Sequence, residues 1–153
     1  MARLLIIAHA PLASALKAVA AHTFPEEADK LRVLDVLPDM PGEEIESLAR
    51  ALLPAEDDVS DPEALVLCDV FGATPANVVQ RLVDGVRIRA IAGVNVSMLW
   101  RTLSSPLHAT VGELFDRAMK GGVQGVLPVA STRPQNQAFP PGGHDPNQHH
   151  HQQ

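Results

Sequence analysis

Residues 64–75, ALVLCDVFGATP, predict a strand, a turn and the start of a helix in immediate succession. The apolar run at 64–68 is typical of a strand that is buried on both faces. Gly72 predicts a tight turn, and Thr74 followed by Pro75 predicts an N-cap followed by the first helical residue. A strand that leads at once into a helix is one half of a parallel βαβ unit.

The same alternation extends in both directions along the chain. Strands are predicted at residues 4–8, 31–36, 64–68 and 88–92. Helices are predicted after Pro11, at 43–53, from Thr74 to Gly85, at 98–103 and at 111–119, where Gly121 and Gly122 would end the last one. This order predicts an α/β fold, doubly wound, with a mainly parallel four-stranded sheet and helices on both faces. Residues 123–129 predict a short final strand.

The composition limits the kind of function. The chain has 153 residues, enough for one domain with a real core, and its 12 Lys+Arg against 18 Asp+Glu give a formal charge of −6. That charge argues against nucleic acid as a partner, because no basic surface is available to neutralise phosphates. Cys68 is the only cysteine, so neither a disulfide framework nor a thiolate zinc site is predicted. Its place in an apolar run favours an inert buried thiol.

The two ends of the chain differ in character. The apolar start at residues 1–8 is too short for a signal peptide or a membrane helix, so we expect a cytoplasmic domain at residues 1–130 with no direct membrane insertion. Residues 131–153 are rich in Pro, Gln and His. We expect a disordered tail there, because such a composition cannot bury enough apolar surface to offset its ordering entropy.

Polar side chains follow three of the predicted strands. His9 follows the first strand, Asp69 the third and Asn95 the fourth, and a glycine turn at residues 72–74 comes after Asp69. In parallel sheets, ligands bind just beyond the carboxyl ends of the strands. We therefore expect these groups to converge at one edge of the sheet.

This set of residue types suits phosphoryl transfer. A neutral imidazole nitrogen of His9 would be the nucleophile, and a carboxylate of Asp69 bound to the other ring nitrogen would fix the tautomer. Backbone N–H groups of Gly72, Ala73 and Thr74 would hold the phosphoryl oxygens. Neither a metal nor a cofactor is predicted, because a phosphohistidine donor is itself reactive.

Each of these residues also has a structural interpretation, and the residues alone do not decide between the two. A histidine after a strand is often structural, and Asp69 could cap the Gly72 turn. Asn95 could only shape the loop after the fourth strand. Asp35, at the end of the second strand, is predicted to have a role in a turn, and Ser14 to be a packing or solvated residue of the first helix.

Three segments, LLIIAH at 4–9, LVLCDVFGATPAN at 65–77 and AGVNVSML at 92–99, carry a family resemblance. Over residues 2–129 the chain resembles the mannose-type IIA proteins of the bacterial phosphoenolpyruvate-dependent sugar phosphotransferase system. The resemblance implies a phosphotransferase of class EC 2.7.1.-, in which His9 accepts a phosphoryl group from the histidine-containing phosphocarrier protein and Asp69 orients its ring. It also implies a homodimer that exchanges an antiparallel strand, here residues 123–129.

The chain departs from the family motif D-T-W-G-G-S-P at residues 70, 71, 73 and 74, although Thr74 keeps the hydroxyl group. The Cβ of Ala73 would narrow the phosphate pocket. We expect no IIB domain after residue 129, so that the phosphoryl group would pass to a separate IIB component or act as a signal to a regulatory protein. A phosphotransfer subunit of a dihydroxyacetone kinase and a non-catalytic interaction module remain alternatives. The sequence does not specify a sugar.

Overall fold

The structure is a computed structural model that describes residues 2–60 and 62–130. Its strands are β1 (Arg3–His9), β2 (Arg32–Val36), β3 (Ala64–Cys68) and β4 (Ile88–Ala92). Its helices are α1 (Leu12–Ala21), α2 (Pro25–Lys30), α3 (Gly42–Leu52), α4 (Thr74–Gln80), α5 (Val96–Leu103) and α6 (Val111–Gln124). The predicted tail at 131–153 lies outside the described residues.

The four strands form one parallel sheet in the order β2-β1-β3-β4. Both faces of the central strands β1 and β3 are buried, since Ile6 and Ile7 of β1 and Val66 and Leu67 of β3, which point to opposite faces, are completely buried. This enclosure explains why both strands consist of continuous apolar runs rather than alternating ones. The predicted parallel four-stranded sheet is confirmed.

Helices cover both faces of the sheet. Leu4, Ile6 and Ala8 of β1 pack into a core with α1, α2, α5 and α6. Leu5 and Ile7, which point to the opposite face, pack into a second core with α3 and α4. The predicted doubly wound arrangement is therefore confirmed. Among residues 2–60 and 62–130, no helix has the length and apolarity that crossing a bilayer requires.

Helix α4 differs from the prediction at both ends. Its N-cap is Ala73, and Thr74 is already the first helical residue, so the Thr74 side chain does not cap the helix. The helix ends at Gln80, well before Gly85. Gly85, with φ of 78°, lies in the turn into β4. In that turn Oδ1 of Asp84 accepts hydrogen bonds from three backbone N–H groups, those of Val86, Arg87 and Ile88.

The predicted final strand at 123–129 is wrong for the single chain. Helix α6 continues through Gly121 and Gly122 as far as Gln124, because these glycines pack against α5. A Cβ at Gly121 would lie 2.6 Å from the Cβ of Arg101. This close packing between helices overrides the low helix propensity of glycine. Residues 126–130 pair with no strand of the described chain.

Candidate active site

His9 and Asp69 lie side by side at the carboxyl ends of the two central strands. Strand β1 pairs with β3 so that Ile7 lies opposite Cys68. The residues just beyond this pair on the two strands, His9 and Asp69 among them, therefore lie close together. Nδ1 of His9 is 2.6 Å from Oδ2 of Asp69, and the backbone N–H of His9 donates to the same oxygen at 2.9 Å. The predicted contact between the two side chains is therefore present.

The Asp69 carboxylate fixes the tautomer of His9. Burial would raise the pKa of Asp69, but hydrogen bonds from the His9 main chain and ring and from the Val70 N–H outweigh it and hold the pKa below its usual range. Since a carboxylate can only accept, Nδ1 of a neutral His9 ring carries the proton. Nε2 then keeps its lone pair on a side chain that is 52% exposed, whereas that of Asp69 is 12% exposed. The nitrogen that can react faces away from Asp69.

The turn after Asp69 leaves backbone N–H groups unpaired at the start of α4. Gly72 has φ of 84°, a conformation that favours glycine, and Nδ2 of Asn77 donates to the Gly72 carbonyl oxygen at 3.3 Å. In the part of the chain that the structure describes, the N–H groups of Ala73 and Thr74 have no acceptor. Such N–H groups can bind an anion. Ala73, with φ of −89°, is unstrained.

Asn95 has the loop role that the sequence left open. Its Oδ1 accepts from the Met98 N–H at 2.8 Å as the N-cap of α5, and its Nδ2 donates to the carbonyl oxygen of Gly122 at 3.1 Å. The two ends of the amide thus join α5 to α6. Both are engaged within the fold, so a role for Asn95 at the edge of the site has no support from this geometry.

Asp35 and Ser14 form a contact on the other side of β1 that the sequence did not predict. Oδ1 of Asp35 accepts from the backbone N–H of Ser14 at 3.1 Å, and the Ser14 hydroxyl donates to Oδ2. The predicted turn role of Asp35 is wrong, because Asp35 lies in β2 and binds the first turn of α1. The N-cap of that helix is Pro11, which has no side-chain oxygen. A helix without its own capping side chain is the signal that could have suggested an acceptor from a neighbouring strand.

Cys68 lies next to the site and takes no part in its hydrogen bonds. Burial, together with the charge of Asp69, raises the pKa of the Cys68 thiol to about 12. The thiol is therefore protonated at neutral pH and unreactive, as its position in an apolar strand favours. Within the described residues, His, Cys, Asp and Glu side chains form no group of three that could hold a metal ion.

Exposed apolar and acidic side chains follow the strands that flank His9. Leu37 follows β2, whereas Val70 and Phe71 follow β3, and Phe71 is 76% exposed. Asp39 and Glu43, in the segment after Leu37, are exposed acidic residues. A large exposed aromatic ring is typical of a surface that contacts another protein.

Comparison with known proteins gives one consistent result. The family model described as PTS system fructose IIA component matches residues 3–119. The chain is 30% identical over 118 residues to the PTS system fructose-specific EIIA component of Bacillus subtilis (strain 168), covering 76% of this chain and 78% of the relative.

Two solved structures have the same fold. The mannose/sorbose specific IIA subunit of the phosphotransferase system from Enterococcus faecalis superposes with a TM-score of 0.74 at 24% identity, covering 85% of this chain and 96% of that one. The phosphotransferase system component EIIA from Streptococcus agalactiae gives a TM-score of 0.72 at 21% identity, covering 84% and 97% of the two chains.

Proposed function

Because the chain belongs to the family of IIA components of the sugar phosphotransferase system, which carry phosphoryl groups in sugar uptake, we propose that Nε2 of His9 is the phosphoryl acceptor. One observation carries the proposal: the 2.6 Å contact between Nδ1 of His9 and Asp69, on a ring that is half exposed. It leaves a single ring nitrogen unprotonated and accessible. The proposed donor is the histidine-containing phosphocarrier protein, which makes this chain a protein-histidine phosphotransferase of class EC 2.7.1.- in the cytoplasm.

The transfer is a simple exchange of nitrogen–phosphorus bonds. The lone pair on Nε2 of His9 attacks the phosphorus atom of the donor's phosphohistidine. The donor's nitrogen–phosphorus bond breaks as the new bond forms, and the donor ring, which carries a proton on its other nitrogen, leaves as a neutral imidazole. The His9 ring then carries positive charge, which the carboxylate of Asp69 stabilises. The unpaired N–H groups of Ala73 and Thr74 are the proposed donors to the phosphoryl oxygens.

IIA components in general exchange phosphoryl groups with a phosphocarrier and with a IIB protein. For this chain we propose that both partners dock on a surface that includes Leu37 and Val70, the exposed residues that follow the two strands flanking β1. Its acidic margin at Asp39 and Glu43 favours partners with basic surfaces. A dihydroxyacetone kinase subunit and a non-catalytic module are not favoured, since the matching family and relatives belong to sugar phosphotransferase systems.

We also propose that the chain forms a homodimer through residues 126–129. Val126, Leu127 and Val129 are exposed, although isolated apolar segments seldom remain uncovered in solution. Strand β4 ends the sheet, so one of its edges pairs with no strand of the described chain. An apolar cleft of ≈ 170 Å³ lies beside that strand, between Val79 of α4 and Ala90. A second copy could place its own residues 126–129 along this edge.

The proposal for His9 is tested by phosphorylation from phosphoenolpyruvate through enzyme I and the phosphocarrier protein. Wild type should acquire an acid-labile, alkali-stable label, and His9→Ala should acquire none. His22→Ala is the matched control, since His22 is an exposed histidine outside the site, and it should be labelled like wild type. A folded wild-type protein without label would refute the proposal. Adding a IIB protein then distinguishes a role in transport from a role in signalling. A IIB protein that accepts the phosphoryl group removes the label from this chain, whereas a regulatory partner leaves it in place.

A further inference from the structure

Asp35 caps α1 from a neighbouring strand. Helix α1 starts at Leu12 with Pro11 as its N-cap, so its own sequence provides no side-chain acceptor at the cap position. The Asp35 carboxylate takes that role by accepting from the backbone N–H and from the hydroxyl group of Ser14, in the first turn. A carboxylate at this end of a helix is also favoured by the helix dipole.

This cap lies close to His9 along the chain. Only Ala10 and Pro11 separate His9 from α1. Ala8 pairs with Asp35 and His9 with Val36 in the ladder between β1 and β2, and the Ala10 N–H continues the ladder by donating to the Val36 carbonyl oxygen at 3.0 Å. The connection from His9 to α1 is therefore tied to β2 at both of its ends.

We propose that Asp35 is a positioning residue for phosphoryl transfer, which fixes the main chain that carries His9. Two carboxylates then have complementary roles, since Asp69 after β3 holds the His9 ring and backbone N–H, whereas Asp35 on β2 holds the chain that follows. The His9 side chain is half exposed, so its position depends on this main chain more than on packing. Transfer needs both imidazoles to approach the phosphorus closely, and a misplacement of about 1 Å can slow such a reaction about 100-fold. The proposal rests on the function assigned to His9 above.

The test compares three variants of the contact between Asp35 and Ser14 with a control variant in which a different exposed carboxylate is replaced. Asp35→Ala removes both hydrogen bonds, Asp35→Asn keeps an acceptor oxygen, and Ser14→Ala keeps the backbone donor. Asp116→Asn removes one negative charge from an exposed position of α6, away from α1 and from the proposed docking surface. Transfer kinetics are measured well below each melting temperature, together with the ¹⁵N chemical shifts and the pKa of the His9 ring by NMR.

We expect kcat to fall about tenfold in Asp35→Ala, with KM for the phosphocarrier protein unchanged, and by threefold or less in Asp35→Asn and Ser14→Ala. Asp116→Asn should leave kcat and the His9 shifts as in wild type. The His9 ¹⁵N shifts should move in Asp35→Ala, because the ring no longer meets Asp69 in the same geometry.

A lower melting temperature with unchanged kcat and unchanged His9 shifts would make Asp35 a purely structural cap and overturn the proposal. If wild type accepts no phosphoryl group, the function assigned to His9 fails. The NMR comparison then still decides whether Asp35 positions the ring, so the two failures are distinguishable.

Discussion

At the scale of single residues, Asp69 holds His9 through the main chain as well as through the ring. One carboxylate oxygen accepts from both the backbone N–H and Nδ1 of His9, and the other accepts from the Val70 N–H. The carboxylate is thus anchored by three donors and cannot turn away from the imidazole without losing them. In the proposed mechanism Asp69 therefore orients the ring, and the reactive atom belongs to His9.

Asp69→Asn is expected to slow phosphorylation by two orders of magnitude or more while the fold is kept. An asparagine can donate to Nδ1, which would place the ring proton on Nε2 and block the nucleophile, as the loss of a tautomer-fixing carboxylate does in other enzymes. The measurement is the rate of label incorporation, with circular dichroism to verify folding. Unchanged kinetics would remove Asp69 from the mechanism.

The loss of stability caused by Asp69→Asn should depend on pH. Hydrogen bonds lower the folded-state pKa of Asp69, so the group stabilises the fold above its unfolded pKa of about 3.9. That contribution is lost as the pH falls through the lowered value. The difference in unfolding free energy between wild type and Asp69→Asn should therefore be larger at pH 7 than at pH 3, measured by urea unfolding.

At the scale of elements, α5 and α6 approach each other through glycines. A Cβ at Gly121 would come within 3.1 Å of the Ser97 carbonyl oxygen as well as of Arg101, and one at Gly125 would overlap the Ser97 side chain. Asn95, the N-cap of α5, donates to the Gly122 carbonyl oxygen across the same contact. The glycines that the sequence suggested as a helix end are instead the contact surface of a longer helix.

Gly121→Ala is expected to destabilise the protein by about 1–3 kcal/mol, although alanine is the better helix former, because the added methyl group pushes α6 away from α5. Gly112→Ala in the same helix is the matched control. Its Cβ would lie 3.8 Å from the nearest atoms, which is ordinary contact, so we expect a gain of about 0.5 kcal/mol. Urea unfolding of both variants gives the comparison, and equal effects would contradict this account of the helix contact.

At the scale of the whole molecule, the sequence predicts the centre of the fold better than its margins. Strand β3 matches its predicted bounds because a run enclosed on both faces is apolar throughout. The predicted bounds of β4 are also those of the structure. Helix α2 was not predicted, since six residues, PEEADK, carry too few apolar positions to show a helical period.

Some contacts of the candidate site could likewise be predicted from the sequence, and others could not. His9 and Asp69 could be predicted because both follow apolar runs, and parallel strands bring such ends together. The contact of Asp35 with α1 joins a strand to a helix through a side chain and the main chain, and no periodicity in either segment indicates it. The end of α6 depends on α5, which sequence reasoning on one segment does not include.

The proposed dimer is tested by the mass of the protein in solution. Light scattering should give about twice the chain mass of 16.3 kDa at micromolar concentration. Replacing Val126 and Leu127 together by Asp should give the single-chain mass, because charged groups would have to enter the apolar cleft. Val59→Asp is the control, as Val59 is an exposed valine on another loop, and it should remain dimeric. Wild type at the single-chain mass would refute the dimer.

The strand that ends in His9 is also well protected from solvent. Leu5, Ile6, Ile7 and Ala8 have no solvent-accessible surface, and neighbouring strands hold both edges of β1. Amide protons in such a strand exchange with solvent only when the whole molecule opens, whereas surface turns open far more often. A phosphocarrier whose proposed acceptor residue ends such a strand can keep the main chain of that residue fixed while it meets one protein after another, and we expect the adjustment to each partner in the surface turns instead.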